Sequence, residues 1–230
     1  MNQLGPRLSA IATRVIAGSP VGDLCCDHAA LAIELVTSGR VPSAIAGDLN
    51  PFPLEAAAAT LEQLGLRDRI ELRRGSGLQV LQPGEVSTAV IAGIGAPLAE
   101  RLLSEAQATG ALAGVRRLII QPNHGYPKLG SLRAHIDALG WGIIDECLAY
   151  DHGRMYAIIV AEPGPSTLQD EVDRELGPIL RRGNDPLFGA WIEHERARLT
   201  QACQGMQRGR ADPQQLASYQ RMLAILAAAV

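Results

Sequence analysis

Two carboxylates, two thiols and an imidazole crowd into one six-residue stretch, Asp23-Leu24-Cys25-Cys26-Asp27-His28. Such a set could hold a metal ion, line a cofactor loop, or form no more than a polar turn. The metal reading is the weakest. The four cysteines (Cys25, Cys26, Cys147, Cys203) contain no Cys-x-x-Cys pair, and His124, His135 and His152 are scattered, so no zinc site is expected. Four further polar or glycine-rich groups each follow an apolar run: Gly47-Asp48-Leu49-Asn50, Gly75-Ser76-Gly77, Ala92-Gly93-Ile94-Gly95 and Gln121-Pro122-Asn123-His124. Taken singly these are weak signals, because GSG and GIG are ordinary turn chemistry. Their strength lies in joint placement, which converges on one cleft if the runs are neighbouring strands.

An acid after the second run is the residue type that pairs with ribose hydroxyls in dinucleotide and adenosyl sites, and Asp48 fits that role. The first loop does not fit a dinucleotide. It lacks G-x-G-x-x-G, and Cys25 and Cys26 stand where a glycine would let the backbone approach a pyrophosphate. A ligand without a pyrophosphate, such as S-adenosylmethionine, asks less of that loop. A methyl donor is therefore favoured over NAD or FAD.

The elements that must position these residues alternate. Leu8, Ile11, Ala12 and Val15 fall at helical spacing and predict an opening helix that stops near Gly18-Ser19-Pro20. Strands are expected at 21–24, 43–50, about 69–74, 88–92 and 117–121. Helices are expected at 29–38, 53–64 (stopped by Gly65), 97–108 and from Ser131 to Gly140. Residues 141–163 read as two strands in a hairpin around Asp151 to Gly153. Strands alternating with helices mean βαβ units and a parallel sheet, with ligands at the C-terminal strand ends; the hairpin adds an antiparallel edge strand. After EPGPS (162–166) no strand signal remains. A short helix near 168–176, a loop GPILRRGNDP, a helix from Leu187 to Arg208 and a helix from Pro213 onward are expected. Ile192, Ala197, Leu199 and Met206 would zip against Leu216, Tyr219, Met222, Leu223 and Leu226. The expected division is a sheet domain over 1–164 and a helical domain over 165–230.

Bulk properties bound the partners. The chain has 230 residues, 47% of them apolar but only 3% aromatic, so its core must be built from Ala, Leu, Ile and Val. A formal charge of −3 exerts no global pull on nucleic acid or anionic lipid. Arginine clusters exist nonetheless, at 67, 69, 73 and 74, at 116–117, at 181–182, and at 196, 198, 208 and 210. The pairs at 116–117 and 181–182 read as solvated faces, whereas the 67–74 and 196–210 groups could bind phosphate. No apolar run approaches the roughly 18 residues of a membrane span, and the N-terminus has no secretory h-region. A cytoplasmic protein, monomeric or weakly dimeric, with no membrane partner is expected.

Longer stretches carry a resemblance: LGPRLSAIATRV, VGDLCCDHAALAIELV, AIAGDLNPFPLEAA, GLRDRIELRRGSGLQVL, AVIAGIGAPLAERLL, LIIQPN, LGWGIIDECL and RMYAIIVA. Together they resemble the bacterial tRNA adenine-N1-methyltransferases that modify adenosine 22. Asp27-His28-Ala29 and Gln121-Pro122-Asn123 are the most specific parts. The resemblance implies a Rossmann-like class I methyltransferase sheet with a C-terminal antiparallel helical hairpin, S-adenosyl-L-methionine as cofactor and tRNA as partner. It implies catalytic roles for Asp27, Gln121 and Asn123. It implies cofactor contacts from Asp23, Cys25, His28, Asp48, Leu49, Asn50, Gly75, Ser76, Gly77, Ala92 and Gly93. The family pattern differs at three places: a glycine and a small polar residue stand at 25–26, an aspartate at 76, and a glycine at 96. Those departures leave a second reading, a non-catalytic member that binds RNA or a partner. Plainer readings also stand beside the roles: Asp27 as a helix cap, His28 as an orienting residue, and Gln121-Pro122-Asn123 as a rigid turn.

Overall fold

The computed structural model describes residues 4–123, 128–207 and 212–229. Expectations placed on His124, Arg208 and Arg210 lie outside the described residues.

The elements run α1 (Pro6–Ala12), β1 (Val21–Leu24), α2 (Ala30–Thr37), β2 (Ala44–Asp48), α3 (Pro51–Leu64), β3 (Ile70–Arg74), β4 (Thr88–Ile94), α4 (Ala96–Thr109), β5 (Arg117–Pro122), α5 (Lys128–Ala138), β6 (Trp141–Asp151) and β7 (Arg154–Pro163). Four helices follow: α6 (Glu171–Leu176), α7 (Pro178–Arg182), α8 (Phe188–Gln207) and α9 (Pro213–Ala228). One seven-stranded sheet has the order β3-β2-β1-β4-β5-β7-β6. Strands β1 to β5 are parallel, and β7 pairs antiparallel with both β5 and β6, so the antiparallel element comes at the hairpin edge of the sheet. The hairpin turns through His152 and Gly153, both with positive φ, which matches the twist of two-residue hairpin loops.

Alternate residues of the central strands enter two separate cores. Ala89 and Ile91 of β4 and Leu118 and Ile120 of β5 join one cluster, with Leu103 of α4 and Leu132 of α5. Val90 and Ile119 join the other, with Leu31 and Leu35 of α2 and Leu61 of α3. Both faces are covered, which is why these strands read as unbroken apolar runs. The polar residues are left at the strand ends. Among the described residues, no helix is long and apolar enough to cross a membrane.

Four expectations need correction. The loop expected over 177–186 contains α7: the buried Glu146 carboxylate of β6 accepts the Ile179 amide at 3.1 Å, so a tertiary contact holds a turn too short to be seen in sequence. Neither arginine pair is a merely solvated face: Arg117 pairs with Glu162 and donates to the Arg14 carbonyl, and Arg181 and Arg182 donate to the fully buried Asp173 of α6. The arginines at 67–74 are mostly engaged inside the molecule: Arg67 pairs with Glu62, Arg73 with Glu71 and Glu85, and Arg69 donates to three carbonyls. Ala197 is exposed, and Glu195 turns inward instead, paired with Arg198 at 2.7 Å; Ile192, Leu199, Met222 and Leu226 are buried as expected.

Candidate functional site

The polar strand ends lie on one rim, as the parallel order requires, but only those of β1, β4 and β5 meet in one cleft. Asp48, Leu49, Asn50, Gly75, Ser76 and Gly77 do not line it. The cleft, of about 360 Å³, is lined by Asp23, Cys25, Cys26, Asp27, His28, Ala30, Leu31, Ala92, Gly93 and Asn123, and by Arg7 and Leu8 of α1. Its volume lies within the roughly 300–1,000 Å³ usual for small-molecule sites. Cys25 therefore does not close the cleft, which keeps this volume with both thiols in its wall.

The first turn is built from unusual backbone. Cys25, Asp27 and Ala29 have φ of 60°, 52° and 56°, a left-handed conformation that glycine adopts freely and other residues at a cost of about 1 kcal/mol each. Aspartate tolerates it through local hydrogen bonding; cysteine and alanine do not. Packing of the adjoining strand and helix holds the turn in place. Asp23 Oδ2 accepts the Ala32 amide at 3.1 Å, so the strand's own carboxylate satisfies an N-terminal amide of α2. Asp27 is thus not the cap: the residue at the cap position is Ala29, without a side-chain bond. The Asp27 carboxylate is free to face solvent, 3.6 Å from His28 Nε2.

Asp48, at the end of β2, fastens two loops. Its Oδ2 accepts the Asp27 amide at 3.3 Å and its Oδ1 the Asn50 amide at 2.9 Å. Burial pushes the Asp23 carboxyl up to about 7, opposed by the Ala32 bond and reinforced by the Asp48 charge. Burial first, then the same two carboxylates, pushes the Cys25 thiol up to about 11 and raises that of Cys26 as well. Neither cysteine is a ready nucleophile.

Gln121 and Asn123 bracket one residue, Gly93. The register of β4 and β5 shifts at Gly93, whose φ is +78°. Gln121 Oε1 accepts the Gly93 amide at 3.2 Å, and Asn123 Nδ2 donates to the Gly93 carbonyl. Gln121 is fully buried behind the cleft wall, and Asn123 stands at its lip. Gly75, Ser76 and Gly77 lie along the rim beyond the cleft wall. The Gly75 amide donates to the Asp48 carbonyl at 3.0 Å, and a Cβ on Gly77 would meet Leu102 at 2.7 Å, so packing as well as conformation demands glycine there. Leu49 beside them is 63% exposed.

The residue that the sequence did not single out is Arg7. Its Nη1 donates to Gln121 Oε1 at 2.6 Å, and its guanidinium lies over the Tyr156 ring at 5.6 Å. Nothing local marks it; only the fold brings α1 to β5. Among the described residues, no group of three His, Cys, Asp or Glu side chains is placed to hold a metal ion.

This strand order, with acids closing β1 and β2 above a small-molecule cleft, defines the class: the sheet is that of a methyltransferase domain. The family model for that domain matches residues 4–159. A tRNA (adenine(22)-N(1))-methyltransferase of Bacillus subtilis is 32% identical over 192 residues, covering 81% of this chain and 78% of that protein. The chain belongs to that family. A Streptococcus pneumoniae protein provisionally assigned as a tRNA (m1A22) methyltransferase has a solved structure of TM-score 0.88, at 31% identity over 99% of each chain. Its complex with S-adenosyl-L-methionine superposes with a TM-score of 0.86, at 30% identity over 99% of each chain.

Proposed function

We propose that this chain is an S-adenosylmethionine-dependent methyltransferase acting on N1 of an adenosine in tRNA, adenosine 22 by its family. The observation that carries the reading is the cleft itself, walled by Asp23, Cys25, Asp27 and His28 and open at the C-terminal strand ends. The residues suit the cofactor: acids for an ammonium group, Asp48 and Asn50 for the ribose, and Leu49 for the apolar face of adenine, with Gly75, Ser76 and Gly77 at the outer rim. Gly93 and Ala92 leave the β4 side open. S-adenosylmethionine supplies an electrophilic methyl group on a sulfonium.

The protein's part is alignment and electrostatics, because adenine N1 carries its own lone pair and needs no base to expose it. The target base must leave its stack and be held by its edge. Asp27, free of capping duty, faces the cleft opening and suits the exocyclic amine and the positive charge that grows on the ring. Asn123 offers an amide at the lip, and Gln121 holds the Gly93 peptide behind it. His28, close to Asp27, orients that carboxylate.

The helical segment 165–230 is proposed as the part that meets tRNA, with residues 1–164 as the catalytic domain. Of the 196–210 group, Arg196 stands on the open face of α8 beside Glu193, Thr200, Gln201 and Gln204, where it suits a phosphate. The inward-facing tail residues support a monomer or weak dimer, and a tRNA enzyme is expected in the cytoplasm. Titration calorimetry with S-adenosylmethionine tests the reading. Binding in the micromolar range is expected; no heat at millimolar cofactor would leave only the non-catalytic reading.

A further inference from the structure

The rim has two sides. Asp48, the residue suited to the ribose, closes β2 on one side of the cleft, and the strand order continues past β5 to β7 and β6 on the other. In the methyl-donor reading the nucleoside end of the cofactor takes the β2 side, so the target base arrives from the side of β5 and β7. Strand β7 runs antiparallel to both β5 and β6, which returns the tip of the β6–β7 hairpin to this same rim.

The tip is tied in two directions. Asp151 Oδ2 lies 4.0 Å from Nε of Arg7 in the cleft wall. The Leu148 amide donates to Asp185 Oδ2 at 2.9 Å, and Asp185 Oδ1 accepts the amide of Leu187, the residue before α8. The hairpin thus bridges the cleft to the helical segment. Tyr150 there is 56% exposed; of the described aromatic residues only Phe52, at the start of α3 on the β2 side, is more so. His152 and Arg154 are exposed as well. Asp151, the cross-strand partner of Arg154, is turned to Arg7 and to His152, and among the described residues no carboxylate pairs with Arg154.

We propose that the tip of the β6–β7 hairpin is a tRNA-binding element, in which Tyr150 stacks on an unpaired base beside the target and Arg154 holds a phosphate. The inference rests on the tRNA reading and adds to it the path from the helical segment to the cleft. Extruding the target adenine breaks the stacking of its neighbours. An exposed aromatic ring restores part of it whatever the neighbouring base, because every base has a π-face. An arginine fork on the adjoining strand suits the phosphate that fixes the register of the chain.

The test measures tRNA affinity by filter binding for the wild type, Tyr150→Ala, Tyr150→Phe and Arg154→Gln, with cofactor calorimetry and thermal melting alongside. Tyr150→Ala should weaken tRNA binding by roughly 5- to 100-fold, and Tyr150→Phe should match the wild type. Arg154→Gln should weaken it too, and make the slope of log K against log salt shallower by about 1. Cofactor affinity should hold in all three. Parallel loss of cofactor and tRNA affinity would make the tip a structural support of the cleft wall and overturn the proposal. Unchanged tRNA affinity in Tyr150→Ala and Arg154→Gln would overturn it as well. Where a variant fails to fold, amide exchange of the wild type decides: bound tRNA should slow exchange at 150–154, and no protection there overturns the proposal. A wild type that binds the cofactor yet neither binds nor methylates tRNA removes the tRNA reading itself, and this proposal with it.

Discussion

Asp48 Oδ2 accepts the Asp27 amide at 3.3 Å, so the carboxylate expected to meet the ribose also sets the turn that presents the proposed catalytic acid. The Asp27 side chain takes no part in that bond and none in capping α2. Asp27→Asn removes the charge and keeps a residue suited to φ of 52°. Turnover on tRNA should fall by roughly 100-fold, far more than cofactor affinity, while the melting temperature holds. Radiolabelled methyl transfer and calorimetry read the two effects, and full activity would reduce Asp27 to a turn residue.

Cys25 holds a left-handed backbone that favours glycine. Cys25→Gly should relieve about 1 kcal/mol of strain and raise the melting temperature by about 2–4 °C. It should also tighten cofactor binding by removing a side chain from the wall. Differential scanning calorimetry of the two proteins decides; a lower melting temperature would show that thiol packing outweighs the strain.

The buried Asp23 carboxyl sits at about 7 in the folded protein, against 3.8 unfolded. The folded chain therefore holds a proton that the unfolded chain has lost, and this contribution to stability fades as pH rises from about 4 through 7. The range is worth at most about 4 kcal/mol. Asp23→Asn keeps an oxygen for the Ala32 amide and should remove this part of the pH dependence. Urea unfolding at pH 5 and pH 8 should show the variant gaining on the wild type at the higher pH; parallel losses would contradict it.

Arg133 and Glu146 have fully buried side chains and meet at 2.8 Å, and Arg133 also donates to the Arg174 and Glu175 carbonyls. This pair joins β6 to α5 and fastens the start of the helical segment. Arg133→Met should cost about 3–5 kcal/mol in urea unfolding, because it strands a buried carboxylate. Adding Glu146→Gln should recover part of that loss. An additive double variant would show that the two charges are not coupled.

The strands were legible because each is buried on both faces and bounded by glycine or a polar residue, as at Val21–Leu24 and Ala44–Asp48. The rim followed from them, and with it Asp23, Asp27, Asp48 and Asn123. What escaped depends on contacts made at long range. Arg7 joins the cleft only because α1 docks 114 positions away in sequence, against Gln121. The fates of Arg73, Arg181 and Arg182 were set by Glu85 and Asp173, carboxylates whose burial and reach no local pattern records. The left-handed turn at Cys25 was hidden for a related reason: cysteine there hides a conformation that glycine would have announced.

The methyltransferase assignment is decided by nucleoside analysis of unmodified tRNA after incubation with the protein and S-adenosylmethionine. The expected product is N1-methyladenosine at position 22, formed only when Asp27 is intact. A different methylated nucleoside, or no methylation by a protein that binds the cofactor, would contradict it.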